Sequence, residues 1–275
     1  MPTHPQAQST AATDEAAPAW SGESLAHSPH HRTDKPDRVR RMFAAIARSY
    51  DLNNRLHSFW RDQAWRRAAV RMADVRPGER VLDCACGTGD LTMAFAKTEA
   101  AAVVGSDFTQ EMLDLAEVKR LSAGRAPAHK AVSDKITYEQ ADATDLPYDD
   151  ASFDVLSIAF GIRNVSDPAK ALAEFHRVLS PGGRLVILEF DTPRNPLIRM
   201  GNNLYTKRIM PLTATLIARD RSGAYRYLPK SVETFLTSEQ LAQKAAAAGF
   251  GDTQQKRMTF GVCVCTRAVK PPARA

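Results

Sequence analysis

The stretch from Arg80 to Thr92, RVLDCACGTGDLT, places glycines and carboxylates directly after a short apolar run. An apolar run followed by a glycine-rich turn is typical of a parallel strand that leads into a helix beside a nucleotide-like ligand. Because glycine has no side chain, the backbone of such a turn can approach the ligand closely. The stretch therefore predicts a ligand-binding loop. Its candidate binding residues are Asp83, Gly87, Thr88 and Gly89.

This loop differs from the common phosphate-binding loops. Thr92 occupies the third glycine position of a G-x-G-x-x-G fingerprint, and no Gly-Lys-Ser/Thr triplet follows. We therefore do not expect the ligand to be held by its phosphates. S-adenosylmethionine, which has a sulfonium group and no pyrophosphate, fits the loop better than NAD does.

Two further acidic positions follow strand-like segments downstream. Asp107 ends the segment VVGSD, about 20 residues past the glycine loop, where an acidic side chain typically binds ribose hydroxyls. Asp142 and Ala143 follow the next strand-like segment, where a carboxylate or a backbone amide can contact an adenine edge. The ordered set of one loop and two acidic positions is more specific than the glycines alone.

Strand and helix patterns alternate along the chain, which predicts an α/β fold with a doubly wound, largely parallel sheet. Predicted strands lie at 80–84, 102–107, 136–140, 153–159, 184–190, 252–258 and 260–267. Predicted helices begin near Pro36 and lie at 58–72, 90–97, 109–121, 168–179 and 237–248. The last two strands suggest an antiparallel C-terminal hairpin, and residues 191–230 interrupt the alternation.

The composition fits one domain with additions: 275 residues, of which 44% are hydrophobic and 25% charged. Residues 1–35 have no periodicity and few large apolar side chains, so we predict a disordered tail there. The domain is expected over 36–268, with N-terminal helices at 36–75 and an insertion at 191–230, followed by a short tail at 269–275. No apolar run approaches the ~18–20 residues of a membrane span, and no signal peptide is recognisable.

The four cysteines form two Cys-x-Cys pairs, Cys84 with Cys86 and Cys263 with Cys265. Both pairs lie in strand-like runs. We interpret them as buried thiols of a reducing cytosol rather than as a zinc site, which would require the two pairs to converge. No metal is therefore expected.

The charge of the chain favours an anionic partner. The net charge is +6, and residues 36–275 alone hold 35 basic against 27 acidic side chains, or +8. Residues 194–230 carry eight basic side chains against Asp220, with apolar residues between them. Such a segment can lie on an anionic bilayer or pack as a basic lid on its own domain. No RNA-binding motif is evident, so nucleic acid is not the expected partner.

Longer motifs resemble known families. VLDCACGTGD and VLSPGGRLVILEF are similar to motifs of class I S-adenosylmethionine methyltransferases, whose fold is a seven-stranded Rossmann-like sheet. The stretches Tyr50–Trp65, Ala159–Phe190 and Tyr225–Phe235 resemble signatures of the ubiquinone/menaquinone biosynthesis C-methyltransferases, the UbiE/MenG type. The resemblance covers roughly residues 37–268. One departure is Ala159, which stands where a serine often helps to bind the cofactor.

The resemblance implies methyl transfer from S-adenosylmethionine to a ring carbon of a prenylated quinol, in menaquinone or ubiquinone biosynthesis. It implies that Arg163 stabilises the phenolate, or relays its proton through water, and that Asn164 orients the ring hydroxyl. Tyr50, Asp51, Tyr205 and Tyr225 are candidates for the substrate wall, although a packed aromatic ring is the preferred interpretation of Tyr205, and Ala159 would contact the cofactor. Methylation of another small molecule, or of RNA, stays open as an alternative.

The resemblance and the charge together suggest where the protein acts. We expect a cytoplasmic protein that contacts the inner face of the membrane peripherally, since a prenyl tail does not dissolve in water. A homodimer, the choice between menaquinone and ubiquinone precursors, and the identity of the general base are left open by the sequence.

Overall fold

The computed structural model describes residues 18–213 and 222–272. Seven strands form one sheet in the order β3-β2-β1-β4-β5-β7-β6. The strands are β1 Arg80–Cys84, β2 Ala102–Asp107, β3 Ile136–Gln140, β4 Phe153–Ala159, β5 Leu179–Phe190, β6 Gly251–Met258 and β7 Cys263–Val269. The first five run parallel, whereas β7 is antiparallel to both β5 and β6. The predicted doubly wound sheet with an antiparallel terminal hairpin is thereby confirmed.

Helices connect the strands and cover both faces of the sheet. They are α1 Lys35–His57, α2 Arg61–Ala73, α3 Asp90–Ala96, α4 Gln110–Gly124, α5 Pro127–Ser133, α6 Pro168–Val178, α7 Pro196–Leu204, α8 Ala224–Glu233 and α9 Ser238–Ala247. A π-helical turn, Tyr205–Ile209, continues α7. None of the helices within the described ranges has the length and apolarity needed to cross a bilayer.

Alternation along β5 divides the core into two layers. Leu185 and Ile187 pack on one face, in a cluster that includes Phe175 of α6, whereas Val186 and Leu188 pack on the other, in a cluster that includes Phe95 of α3. Burial of each such side chain contributes about 1.5–3 kcal/mol. Both faces of the sheet are therefore apolar, and polar side chains collect at the carboxyl ends of the strands.

Several elements differ from the predicted ones, and two of these differences have a local reason. The predicted helices do not include α5, which begins at Pro127, because a proline at the first helical position has a suitable φ angle and lacks only an N–H that would have no partner there. The second helix begins at Arg61 instead of Ser58, because Phe59 and Trp60 adopt left-handed φ angles of 52° and 58° and break the helical path.

Residues 18–34, which we call the N-terminal strap, pack on the domain. Trp20 is fully buried and stacks on the Tyr227 ring with centroids 4.5 Å apart, and its backbone N–H donates to the Ser222 carbonyl. The prediction of a disordered tail is wrong for this segment, and Lys35 already lies in α1, because one buried aromatic ring outweighs a polar composition. The rest of the predicted tail, residues 1–17, lies outside the described residues, as do 273–275 at the other terminus.

Candidate active site

The glycine loop joins β1 to α3 through backbone conformations that side chains rarely adopt. Gly87 and Gly89 have φ angles of 57° and 80°. A Cβ atom on Gly89 would lie 2.2 Å from the Tyr138 hydroxyl oxygen, whereas one on Gly87 would meet only Tyr50, at 3.9 Å. Gly89 therefore allows the loop to pack closely on β3, and Gly87 leaves open space beside the loop.

Asp83 and Thr88 support this loop from behind. The Asp83 carboxylate accepts hydrogen bonds from the hydroxyls of Thr92, at 2.7 Å, and Ser157, at 2.6 Å, and burial raises its pKa to about 6. The Thr88 hydroxyl donates to Asp51 at 2.6 Å. Neither Asp83 nor Thr88 lines a cavity, so the structure places both where they hold the loop in position.

Asp107 ends β2 directly beside the loop. Its Oδ2 accepts the Gly87 N–H at 2.8 Å and its Oδ1 accepts the Thr109 N–H at 2.9 Å. Burial raises the pKa of this carboxyl, while the two backbone donors oppose the rise. Since each carboxylate oxygen has two lone pairs, both oxygens retain the capacity to accept a ligand hydroxyl.

A cavity of about 100 Å³, which we call the loop cavity, lies between the glycine loop and the start of α1. The predicted binding residues among its walls are Gly87, Asp107, Asp142, Ala143 and Ala159. Among the residues that the structure describes, this wall contains carboxylates and aromatic rings but no Lys, Arg or His. A ligand with hydroxyls and a positive charge suits this wall, and a phosphate does not.

A second cavity of about 520 Å³, the large cavity, also lies against α1. Apolar and aromatic side chains from several helices line much of it, among them Met42, Ile46, Met210, Leu228, Val232 and Val262. Tyr205 and Tyr225, both predicted as substrate wall, also line it. Asp51 does not line it, because its carboxylate binds Thr88 and Lys119.

The two cavities share part of their walls. Phe43, Tyr50 and Phe160 line both of them. The Tyr50 ring packs edge-on against Phe43, with centroids 5.9 Å apart, and burial raises the pKa of the Tyr50 hydroxyl. Tyr50 is thus a neutral phenol at the junction, in reach of occupants of either cavity.

Arg163 lies in the segment after β4, residues 161–165, which we call the Arg163 loop. The side chain is buried against the large cavity, and its Nη1 donates to Glu189 Oε1 at 2.6 Å and to the Phe160 carbonyl at 2.7 Å. Its guanidinium also stands 5.4 Å from the centroid of the Phe190 ring. The predicted catalytic arginine is therefore one half of a buried ion pair.

Glu189, the other half of the pair, was not among the residues predicted from the sequence. The available signal was an acidic residue near the end of the apolar run RLVILEF, because such a run forms a buried strand. Burial raises its pKa, and the charge of Arg163 opposes the rise. Its Oε2 has no hydrogen-bond partner among the described residues. Glu189 lines neither of the two cavities, and Arg163 connects it to the wall of the large one.

Asn164 lies on the other side of the Arg163 loop and lines the loop cavity. Its Oδ1 accepts a hydrogen bond from the Tyr227 hydroxyl at 2.9 Å, and its Nδ2 donates to the Phe160 carbonyl at 3.2 Å. The structure thus brings Tyr50, Arg163 and Asn164 to the junction of the cavities.

All four cysteines are free, buried thiols, and the described ranges contain no cluster of three metal-binding side chains.

Comparisons with known proteins agree with this arrangement. A family model described as the ubiE/COQ5 methyltransferase family matches residues 31–270. The chain is 42% identical over 240 residues to a demethylmenaquinone methyltransferase of Clavibacter sepedonicus, a match that covers 87% of this chain and 93% of the relative. It is also 42% identical over 232 residues to the ubiquinone/menaquinone biosynthesis C-methyltransferase UbiE of Geobacter sulfurreducens, covering 84% and 87%.

A solved structure shares the fold at much lower identity. An S-adenosylmethionine-dependent methyltransferase of Thermotoga maritima has a TM-score of 0.56 and 18% identity, over 84% of this chain and 99% of that one. At this identity the likeness shows the common fold and nothing about the substrate.

Proposed function

Because the chain belongs to the ubiE/COQ5 methyltransferase family, we propose that it methylates a ring carbon of demethylmenaquinol or of a related prenylated quinol. S-adenosylmethionine is the methyl donor of this family, and its sulfonium supplies the methyl group when it is bound. The names of the similar proteins support the quinol as acceptor. The observation that carries the proposal is a small cavity with two carboxylates, Asp107 and Asp142, in its wall, which shares part of that wall with a large, mostly apolar cavity.

The loop cavity suits the donor. Asp107 would accept hydrogen bonds from its ribose hydroxyls, and Asp142 and Ala143 would contact its adenine. Because Gly87 has no side chain, the protein backbone there can lie close to the donor. The carboxylates favour a cation, and the absence of basic side chains from the cavity wall disfavours a pyrophosphate. Asp83, Thr88 and Gly89 would act indirectly by fixing the shape of the loop.

The chemistry on the acceptor side concerns the quinol hydroxyl. A phenol ring carbon becomes nucleophilic as the hydroxyl loses its proton, and a nearby cation favours the resulting phenolate. Arg163, which is permanently charged, would stabilise that phenolate from the wall of the large cavity, while Asn164 and Tyr50 orient the ring. Glu189 would keep Arg163 in place. Holding the ring carbon and the methyl group close together and in line can contribute ~7–11 kcal/mol to the barrier reduction.

Reversible docking on an anionic membrane would deliver the acceptor. Exposed apolar side chains lie on the same turns and helix that line the large cavity: Phe59, Trp60, Leu197, Met200, Leu204 and Phe260. Exposed Arg199, Lys207 and Arg208 accompany them on α7 and its π-helical extension. Apolar side chains beside basic ones suit the surface of an anionic bilayer. Of the predicted 194–230 segment, residues 214–221 lie outside the described residues.

The proposed reaction is tested with purified protein, methyl-labelled S-adenosylmethionine and demethylmenaquinol. We expect a product one methyl group heavier, with the label on a ring carbon. Asp107→Ala should weaken cofactor binding by about 1–3 kcal/mol, the usual cost of unpaired hydroxyls, whereas exposed Asp150→Ala is the matched control. Labelled RNA in place of a quinol product, or cofactor binding without any quinol methylation, would reject the proposed acceptor.

A further inference from the structure

Lys35, the first residue of α1, is buried, and no carboxylate of the described residues forms an ion pair with it. Its side chain is 2% exposed. Its Nζ donates to the carbonyl oxygens of Arg163, at 2.9 Å, and Val165, at 2.6 Å. Its third contact is His30 Nδ1, at 3.4 Å. A buried ammonium group is costly unless all its donors are satisfied, and here every acceptor is an uncharged atom of the Arg163 loop or of the N-terminal strap.

His30 is suited to be the third acceptor. Its Nε2 lies 2.9 Å from the Ser231 carbonyl oxygen, which can only accept, so Nε2 carries the proton and Nδ1 offers a lone pair to Lys35. Burial lowers the pKa of His30 to about 4, so the ring is neutral near pH 7. Burial also lowers the pKa of Lys35, to about 8, which still leaves most of it charged near pH 7.

Two further contacts lead from the strap to the same loop. Trp20 stacks on Tyr227, whose hydroxyl donates to Asn164. Ser231, whose carbonyl accepts from His30, accepts a long hydrogen bond from Arg163 Nε, at 3.4 Å. The start of α1 therefore contacts the backbone of Arg163 directly, across 128 residues of sequence, and the strap reaches Asn164 through Tyr227.

We propose that Lys35 is a positioning residue for methyl transfer, which holds the Arg163 loop so that Arg163 and Asn164 face the two cavities. The inference rests on the proposed function, because it concerns the acceptor side of that reaction. Lys35 lines neither cavity and so acts through the loop. Without it, the loop would lose the ammonium group that two of its carbonyls share.

Lys270 provides a matched control within the same chain. Its Nζ donates to the carbonyls of His176 and Leu179, each at 2.7 Å, and burial lowers its pKa as well. Lys35→Met and Lys270→Met therefore remove the same kind of contact, one at the Arg163 loop and one away from both cavities. A purely structural role for Lys35 would make the two variants alike.

The test compares the full-length variants in three measurements. Lys35→Met should lower kcat for demethylmenaquinol by about 10- to 100-fold, the usual effect of a misplaced reacting group. Its affinity for S-adenosylhomocysteine in calorimetry should fall far less, since Asp107 and Gly87 are unchanged. Hydrogen–deuterium exchange within residues 161–165 should become faster in Lys35→Met and stay unchanged in Lys270→Met.

Equal kcat and equal loop exchange in the two lysine variants would overturn the proposal, as would a parallel loss of kcat and cofactor affinity in Lys35→Met. If Lys35→Met does not fold, His30→Leu removes one acceptor and should change kcat and loop exchange in the same direction; no change in either overturns the proposal. Loop exchange needs no substrate, so a wild type that fails to methylate the quinol contradicts the proposed function while the exchange comparison still tests Lys35.

Discussion

Glu189 is 4% exposed and depends on Arg163 for the neutralisation of its charge. Arg163→Met should therefore lower the free energy of unfolding by about 3–5 kcal/mol, because it leaves a buried carboxylate without its partner. The double variant Arg163→Met/Glu189→Leu should recover most of that stability, because both charges are gone. Turnover should stay low in both, because no cation faces the phenolate. Urea unfolding and initial rates measure the two effects.

Arg184 and Glu79 form a comparable ion pair and supply the control. The Arg184 side chain is nearly buried, and its Nη1 donates to Glu79 Oε1 at 2.7 Å. Arg184→Met should also destabilise the protein, but its folded fraction should turn over at the wild-type rate. Wild-type turnover in the double Arg163/Glu189 variant would assign the phenolate to a different group.

Asp83 should make stability depend on pH in an unusual direction. Folding raises its pKa from 3.8 to about 6, mainly through burial. The folded state then binds more protons than the unfolded state between these values, so this contribution to stability is complete below pH 4 and lost as the pH rises through 6. Asp83→Asn stays neutral, and its amide can still bond the hydroxyls of Thr92 and Ser157.

From pH 4 to pH 7, the free energy of unfolding of the wild type should accordingly fall by up to about 3 kcal/mol relative to Asp83→Asn. Urea unfolding of both proteins across this range measures the difference. A difference that does not change with pH would mean that Asp83 titrates alike in the folded and unfolded states.

At the scale of elements, the β1–α3 loop depends on two separate properties of Gly89. Its φ angle is 80°, and an added Cβ would overlap the Tyr138 hydroxyl. Gly182 in β5 has nearly the same φ angle, 79°, with nothing within 4 Å of an added Cβ. Gly182→Ala should thus lower the free energy of unfolding by about 1–2 kcal/mol, the cost of the left-handed backbone conformation alone. Gly89→Ala should lower it clearly more, as measured by thermal unfolding, and should also weaken cofactor binding. Equal losses of stability in the two variants would mean that Tyr138 moves aside freely.

Local patterns sufficed to predict those elements whose residues determine their own conformation. Strands β1 to β4 follow from apolar runs next to turns, and their predicted bounds match the observed ones. The glycine loop and Asp107 were likewise recognisable, because their spacing is fixed by the β-α-β connection. The binding roles assigned to them remain predictions.

Partners that are distant in sequence could not be predicted in this way. Lys35 and the Arg163 carbonyl are 128 residues apart, and Arg163 and Glu189 are 26 apart on adjacent elements. Trp20 was assigned to a disordered tail because the sequence around it has no periodicity and few large apolar side chains, although its ring is buried against Tyr227 of α8. These contacts depend on tertiary packing, for which periodicity gives no signal.

At the scale of the whole molecule, the exposed apolar residues around the large cavity should anchor the protein to anionic vesicles. Phe59→Ser/Trp60→Ser should reduce co-sedimentation, because aromatic side chains that are 71% and 58% exposed would otherwise enter the interface. Neutralising Arg199, Lys207 and Arg208 together should also reduce co-sedimentation, because each basic side chain near an anionic surface contributes about 1 kcal/mol to the free energy of binding. High salt should release the wild type.

Val118 and Leu121 on α4 are comparably exposed and line neither cavity. Val118→Ser/Leu121→Ser should bind vesicles as the wild type does. Equal binding of the wild type to neutral vesicles, or equal losses in the two double serine variants, would contradict docking through this face.

The wall shared by Phe43, Tyr50 and Phe160 has a thermodynamic consequence. If the donor and the quinol occupy the two cavities as proposed, both would contact these three side chains, so that the free energy of binding one would depend on whether the other is present. Linkage requires such a dependence to be reciprocal: the factor by which the donor changes the affinity for the quinol is the factor by which the quinol changes the affinity for the donor. The same reciprocity would hold between the demethylated donor and the methylated product.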